Sequence, residues 1–189
     1  MSDKSALRTR LRADRKAAVA ALPAATKALL FKRPPAPLAA RIAPGTAIGL
    51  YHPLADEAPT SGYVDWFFEI GHVIALPWFA DRGAAMAFRR WDNPHTPELL
   101  ERGPFGIVQP RADAALLIPR AMFVPLLGFT VGGDRIGQGA GHYDRWLAAH
   151  PGTLAIGMAW DSQLVDSLPS EPHDIRLDLI VTPTRLYET

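Results

Sequence analysis

The chain has 189 residues, 48% of them hydrophobic, a net charge of +1 and no cysteine. That length suits one domain with its own core, and the lack of cysteine excludes a disulfide framework, thiolate catalysis and any cysteine-based zinc site. No apolar run approaches the roughly 20 residues of a membrane span, and the basic start lacks the apolar core of a signal peptide, so a cytoplasmic location away from the membrane is expected.

The charge is unevenly placed. Residues 1–33 carry nine Lys/Arg against two Asp, whereas the remainder is acidic. Such a segment meets an anion: nucleic acid, an acidic surface or a nucleotide triphosphate. It reads as an amphipathic helix over about residues 3–22, capped by Ser2 or Asp3 and ended or kinked at Pro23. Leu7, Leu11, Ala18 and Leu22 face the protein. Lys4, Arg8 and Arg12 follow at i, i+4 as a basic stripe, and the other arginines are expected at the surface. Alone, the stripe reads first as a solvated face.

Further along, Lys32–Pro37 is expected to hold a short Pro-rich loop, and Thr46–Tyr51 a strand. Thr60 caps a helix running to Ile70, with Gly71 as its stop. His72–Leu76 is the next strand, ended by Pro77, and Met86–Trp91 another, at a sheet edge. Ala121–Val124, Thr153–Ala159 and Leu179–Thr182 are further strands, with a helix at Tyr143–Ala149. This alternation predicts an α/β, Rossmann-like single domain: a mostly parallel central sheet with helices on both faces.

One stretch stands out: Arg135-Ile136-Gly137-Gln138-Gly139-Ala140-Gly141-His142-Tyr143-Asp144-Arg145. Glycines at alternate positions let the backbone approach a ligand closely. Their N–H groups can converge on an anion at the start of a helix. Arg135 offers bidentate charge to phosphate, and Asp144 a hard oxygen for a cation such as Mg²⁺. The spacing is neither a Walker A loop nor a dinucleotide fingerprint. A plain glycine-rich turn explains it equally well. His142 and His173 lack metal-ligand spacing, so no zinc site is expected, and no serine sits in a nucleophile elbow.

From Val124 to Leu147 the sequence resembles the signature of the 5-formyltetrahydrofolate cyclo-ligase (methenyltetrahydrofolate synthetase) family: Pro125-Leu126-Leu127-Gly128-Phe129-Thr130, then Gly133-Asp134-Arg135 and onward. Thr130 stands where the family has Asp, Ile136 for Leu, and His142 for the first of two Tyr. Weaker matches occur in order elsewhere: Lys4–Arg8, Tyr51–Thr60, Met86/Phe88/Trp91, Gly103–Ile107 with Pro110, and Pro172–Asp174 with Leu179–Thr182.

The resemblance implies ATP-dependent closure of 5-formyltetrahydrofolate to 5,10-methenyltetrahydrofolate by a monomer acting on small molecules and not on nucleic acid. It assigns Lys4, Arg8, Arg135 and the loop Gly137, Gln138, Gly139, Ala140, Gly141, His142 and Tyr143 to ATP, with Arg135 and Asp144 catalytic. Asp144 and Asp174 would hold Mg²⁺, and His52, Glu57, Phe105 and Tyr143 the folate. Phe79, Phe88 and Trp91 are further candidates for the pocket wall. Two other readings stay open: an α/β enzyme acting on another phosphate ester, and a nucleic-acid-binding module built on the basic helix.

Overall fold

The computed structural model describes residues 3–189; the proposed cap Ser2 lies outside them. Helix α1 (Asp3–Ala21) ends before Pro23, whose ring lacks the N–H that the helix would need. Pro23 then opens the short α2 (Ala24–Leu29). The Pro-rich stretch is not all loop: Pro35 precedes α3 (Ala36–Ala40), and Pro37 lies in its first turn, where a missing N–H costs nothing.

Strand β1 (Ala47–Gly49) leads through a long loop to α4 (Ser61–Glu69). Thr60 occupies the cap position, but its hydroxyl donates to the Tyr51 carbonyl at 2.8 Å rather than receiving the helix N–H. Gly71 does stop the helix. At φ +88 it places its own N–H on Phe68 O and that of His72 on Phe67 O, a Schellman closure.

Strand β2 (Val73–Trp78) runs through Pro77 instead of ending before it. Val73 N–H donates to Thr46 O and Leu50 N–H to Ala75 O. The next rung of this parallel ladder would need a donor at Pro77, which has none, so β1 parts from β2 there. On its other side β2 pairs antiparallel with β3 (Ala87–Arg90).

Next come the hairpin β4 (Leu100–Arg102) and β5 (Val108–Pro110), the two-residue β6 (Leu116–Leu117), and β7 (Ala121–Pro125). A tight hairpin, β8 (Gly128–Phe129) and β9 (Arg135–Ile136), precedes α5 (His142–Ala149). The chain finishes with β10 (Leu154–Met158), β11 (Leu179–Val181) and β12 (Leu186–Glu188).

The main sheet has the order β12-β11-β10-β7-β1-β2-β3-β6. Its five central strands, β11 to β2, are parallel, and β12, β3 and β6 are antiparallel additions. β3 is therefore covered by β6 and is not the edge.

Alternate residues of β7 point to opposite faces. Phe123 joins a core with Ile48, Leu76, Ile156, Leu38 of α3, Tyr63 and Phe67 of α4, and Val19 of α1. Met122 and Val124 join a second core with Phe88, Ile180 and Trp146 and Leu147 of α5. Helices thus cover both faces, as expected. A smaller cluster seats Leu11 of α1 on Leu127 and Ile136.

From β1 the chain winds one way, to β2; from β7 it winds the other way, to β10. The crevice outside the carboxyl ends of β1 and β7 is therefore a topological switch point, where open α/β sheets bind ligands.

Candidate active site

A cavity of about 530 Å³ opens at that switch point. Tyr51, His52, Leu54 and Glu57 enter it from beyond β1, Pro77 and Phe79 from the end of β2, and Pro125 from β7. Lys4 and Arg8 of α1, the whole run Arg135–Asp144, and Asp174 complete the wall. The cavity therefore brings together every residue that the resemblance assigns to ATP, metal or folate, including Phe105 from the β4–β5 turn.

One half is built for an anion. Arg135, on β9, has a side chain only 5% exposed, and its Nη2 donates to Asp144 Oδ1 at 2.7 Å. Its Nε is buried with no hydrogen-bond partner among the described residues. A buried guanidinium N–H left unpaired is costly, and a ligand oxygen would satisfy it. Burial lowers the Arg135 pKa, while Asp144 and Asp174 oppose that shift.

The loop that follows is open backbone, with Gly139 at φ +111 and Gly141 at φ +65. Gly141 caps α5, so the first-turn amides of that helix face the same space. Arg8 Nε donates to Gly137 O at 3.1 Å, and Lys4 Nζ to Asp174 Oδ2 at 2.8 Å. Arg12 does not reach the cavity wall; it donates to Gln138 Oε1 at 2.7 Å.

Asp144 also accepts the Ile175 N–H at 3.1 Å, and Asp174 accepts that of Glu171 at 2.7 Å. Burial works against ionised Asp174, but the Lys4 and Glu171 hydrogen bonds, with the charges of Lys4 and His173, hold its pKa below the ordinary value. Among the described residues no group of three or more His, Cys, Asp or Glu could hold a metal ion alone.

The other half is aromatic. Phe79, Phe105 and His142 form a triangle of edge-on rings with centroids 4.8, 4.9 and 5.6 Å apart. Phe105 is 41% exposed, so it is not a core residue and presents a free apolar surface. His142 Nδ1 faces Arg145 Nη2 at 3.1 Å. Arginine only donates, so Nδ1 accepts, and burial followed by the Arg145 charge lowers the pKa and keeps the ring neutral. His52 lies exposed on the rim; partial burial of its ring lowers its pKa.

Glu57 lies at the back, buried, accepting the Leu54 N–H at 3.0 Å. Burial raises its pKa. Tyr143 stands near it with its phenol held neutral, by burial first and by the Glu57 charge second.

Several expectations need correction. Phe88 is core, edge-on to Trp146 and beneath Gly49, and Trp91 packs on the far face of the sheet, so neither walls the cavity. The glycine loop follows the β8–β9 hairpin. Thr130 closes that hairpin: its hydroxyl lies 3.3 Å from both the N–H and the carboxylate of Asp134. His173 is exposed beside Glu171, while Lys4 and the Glu171 N–H hold Asp174.

Two residues escaped the sequence reading. Arg15 is not a surface arginine but is buried against Asp56. Gln109 ties the β4–β5 hairpin to β2, with its amide exchanging two 3.1 Å bonds with the Phe79 backbone. A lone glutamine carries no sequence signal for that role.

The sequence matches the model of the 5-formyltetrahydrofolate cyclo-ligase family over residues 1–183. It is 30% identical to 5-formyltetrahydrofolate cyclo-ligase of Mycolicibacterium smegmatis, over 75% of this chain and 75% of that one. It is 36% identical to that of Escherichia coli K12, over 51% of this chain and 56% of that one. The fold is similar to a 5,10-methenyltetrahydrofolate synthetase from Mycoplasma pneumoniae (TM-score 0.65, 25% identity, 95% of this chain and 98% of that one). It is also similar to the synthetase of Aquifex aeolicus (TM-score 0.62, 26% identity, 100% and 84%). A sequence match across nearly the whole chain and a shared fold lead to one conclusion: the chain belongs to the 5-formyltetrahydrofolate cyclo-ligase family and is a ligase.

Proposed function

We propose that the protein converts 5-formyltetrahydrofolate and ATP to 5,10-methenyltetrahydrofolate, ADP and phosphate. The supporting observation is the two-sided cavity: one wall is cationic and lined by the Gly137–Gly141 loop, and the other is aromatic with a buried carboxylate. A nucleotide triphosphate suits the first wall and a pterin the second.

The formamide oxygen of the substrate is a poor leaving group. In the proposed reaction it attacks the γ-phosphorus, the bond to the bridging oxygen breaks, and ADP departs. The folate's 10-position nitrogen then attacks the formyl carbon and gives up its proton. The ring closes and phosphate leaves. Such transfers need alignment and charge neutralisation more than acids or bases. Lys4, Arg8 and the unpaired Arg135 Nε would hold the phosphates, with the Gly137–Gly141 amides beneath them. Glu57 would accept the paired N–H donors of the pterin, and Phe105 would stack on its face.

Mg²⁺ fits the donors present. Asp144 and Asp174 each keep one oxygen free of hydrogen bonds among the described residues, and Mg²⁺ is commonly held by one or two carboxylates together with substrate phosphates. Bound there it would supply charge neutralisation at the phosphates.

Mixing the protein with 5-formyltetrahydrofolate, ATP and Mg²⁺ should produce the methenyl-folate absorbance band. The band should be missing without ATP or with excess chelator. Turnover without ATP would reject the reaction, and full turnover in chelator would reject the metal.

A further inference from the structure

The basic stripe of α1 continues to a fourth cation that the reaction above leaves unused. Arg15 follows Lys4, Arg8 and Arg12 along α1, three to four residues apart, and so lies on the same side of the helix. Unlike them it is sealed, with its side chain 2% exposed. A guanidinium buried so fully must find acceptors. Its Nε donates to Asp56 Oδ2 at 2.9 Å, its Nη1 donates to the Leu126 carbonyl at 3.2 Å, and the same Nη1 stands 3.7 Å from Glu57 Oε1. Asp56 and Glu57 lie beyond β1, and Leu126 directly follows β7. One guanidinium therefore braces both strand ends at the switch point.

We infer that Arg15 is a positioning residue for folate recognition: it keeps the Glu57 carboxylate ionised and fixed in the cavity, ready for the N–H donors of a pterin. The inference rests on the reading that Glu57 takes the pterin. Buried Glu57 has little water to solvate its charge, so protein groups must do so. Arg15 is the one cation within 4 Å of its carboxylate among the described residues.

The other groups facing Glu57 divide by sign. The Leu54 N–H and the Gln138 side chain favour its ionised form, and the Asp56 charge opposes it. Tyr51 and Tyr143 face it as neutral phenols. Lys27 and Lys32 line a smaller cavity of about 340 Å³ that Glu57 also borders. Two carboxylates share the Arg15 guanidinium, so the hold on Glu57 depends on Asp56.

Folate affinity and ATP affinity, each measured by calorimetry across a pH series, test this. Arg15→Met keeps the length and removes the charge. It should weaken 5-formyltetrahydrofolate about tenfold at neutral pH and recover it in alkali, the tenfold loss corresponding to a midpoint that lies about one unit above neutral in the variant. ATP affinity should stay constant. Arg15→Lys should keep the parent profile. Asp56→Asn retains an acceptor for Nε and removes the competing charge, so its midpoint should move down.

If Arg15→Met fails to fold, Asp56→Asn decides alone. Unmoved midpoints in the variants that fold, even with lower affinity or lower Tm, make Arg15 a structural brace and overturn the inference. Glu57→Gln checks the reading beneath. Unchanged folate affinity in that variant puts the pterin elsewhere. A loss there beside an unmoved Arg15→Met profile rejects Arg15 alone.

Discussion

At the scale of single residues, Gly139 shows how the loop's shape depends on glycine. Its φ of +111 lies where L side chains rarely go, and an added Cβ would meet the Arg8 guanidinium at 3.4 Å. Because of that φ, Gly139→Ala should distort the loop beside Arg8 while leaving both main cores untouched. The expected result is a KM for ATP raised roughly tenfold, from a local cost of about 1–2 kcal/mol, with Tm little changed. A fall in Tm with normal ATP kinetics would show a structural glycine. Much at this scale was legible. Arg135, the glycines and Asp144 sit within one short window, and their chemistry does not depend on distant partners. Arg15 was not legible. Its burial is decided by Asp56 and Glu57, forty residues later, and nothing in the helical pattern separates it from Arg12.

At the scale of elements, the parallel strands were readable because each is an apolar run buried on both faces. The pieces β4 to β6, β8, β9 and β12 were not, because each is a two- or three-residue piece outside the central parallel strands, without a run buried on both faces, and exists only through its pairing. Pro77 misled for a related reason: a proline ends a strand only where its nitrogen must donate, and β3 asks nothing of that nitrogen. The junction of α4 with the Pro-rich segment is tighter than its sequence suggests. A Cβ at Gly62 would lie 2.4 Å from the Phe31 carbonyl oxygen and 2.8 Å from Lys32 Cα. Those atoms are backbone, and Phe31 is already held at φ +54 with its ring edge-on to Tyr63 and Trp160. Gly62→Ala should destabilise by about 1–3 kcal/mol, the range for overpacking, seen as a lower midpoint in urea. An unchanged midpoint would mean that the Phe31 turn moves freely.

At the scale of the whole molecule, the site sits where the direction of winding reverses, which depends on the strand order and not on the alternation of elements alone. What pattern could not supply is its closure. Lys4 at one end of the chain meets Asp174 near the other. Asp174 has a lower pKa folded than unfolded. A carboxyl of that kind adds stability above its unfolded value, near 3.9 for Asp, and loses it as pH falls through the folded value. The Tm gap between the parent and Asp174→Asn should therefore be open at neutral pH and close as the solution is acidified below that range. A gap that does not change with pH would mean that the contact contributes no charge-dependent stability. The same contact has a meaning in time. A ribosome adding about 5–20 residues per second makes its two halves on the order of ten to thirty seconds apart. The glycine loop is made only about 35 residues before Asp174, so for the last few seconds, roughly 2–7 at that rate, a nascent chain has its basic helix and loop without the carboxylate that pairs with Lys4; on the proposed reading such an unfinished product should hold nucleotide poorly and release it unreacted. Catalysis would begin only when translation of the last segment is done.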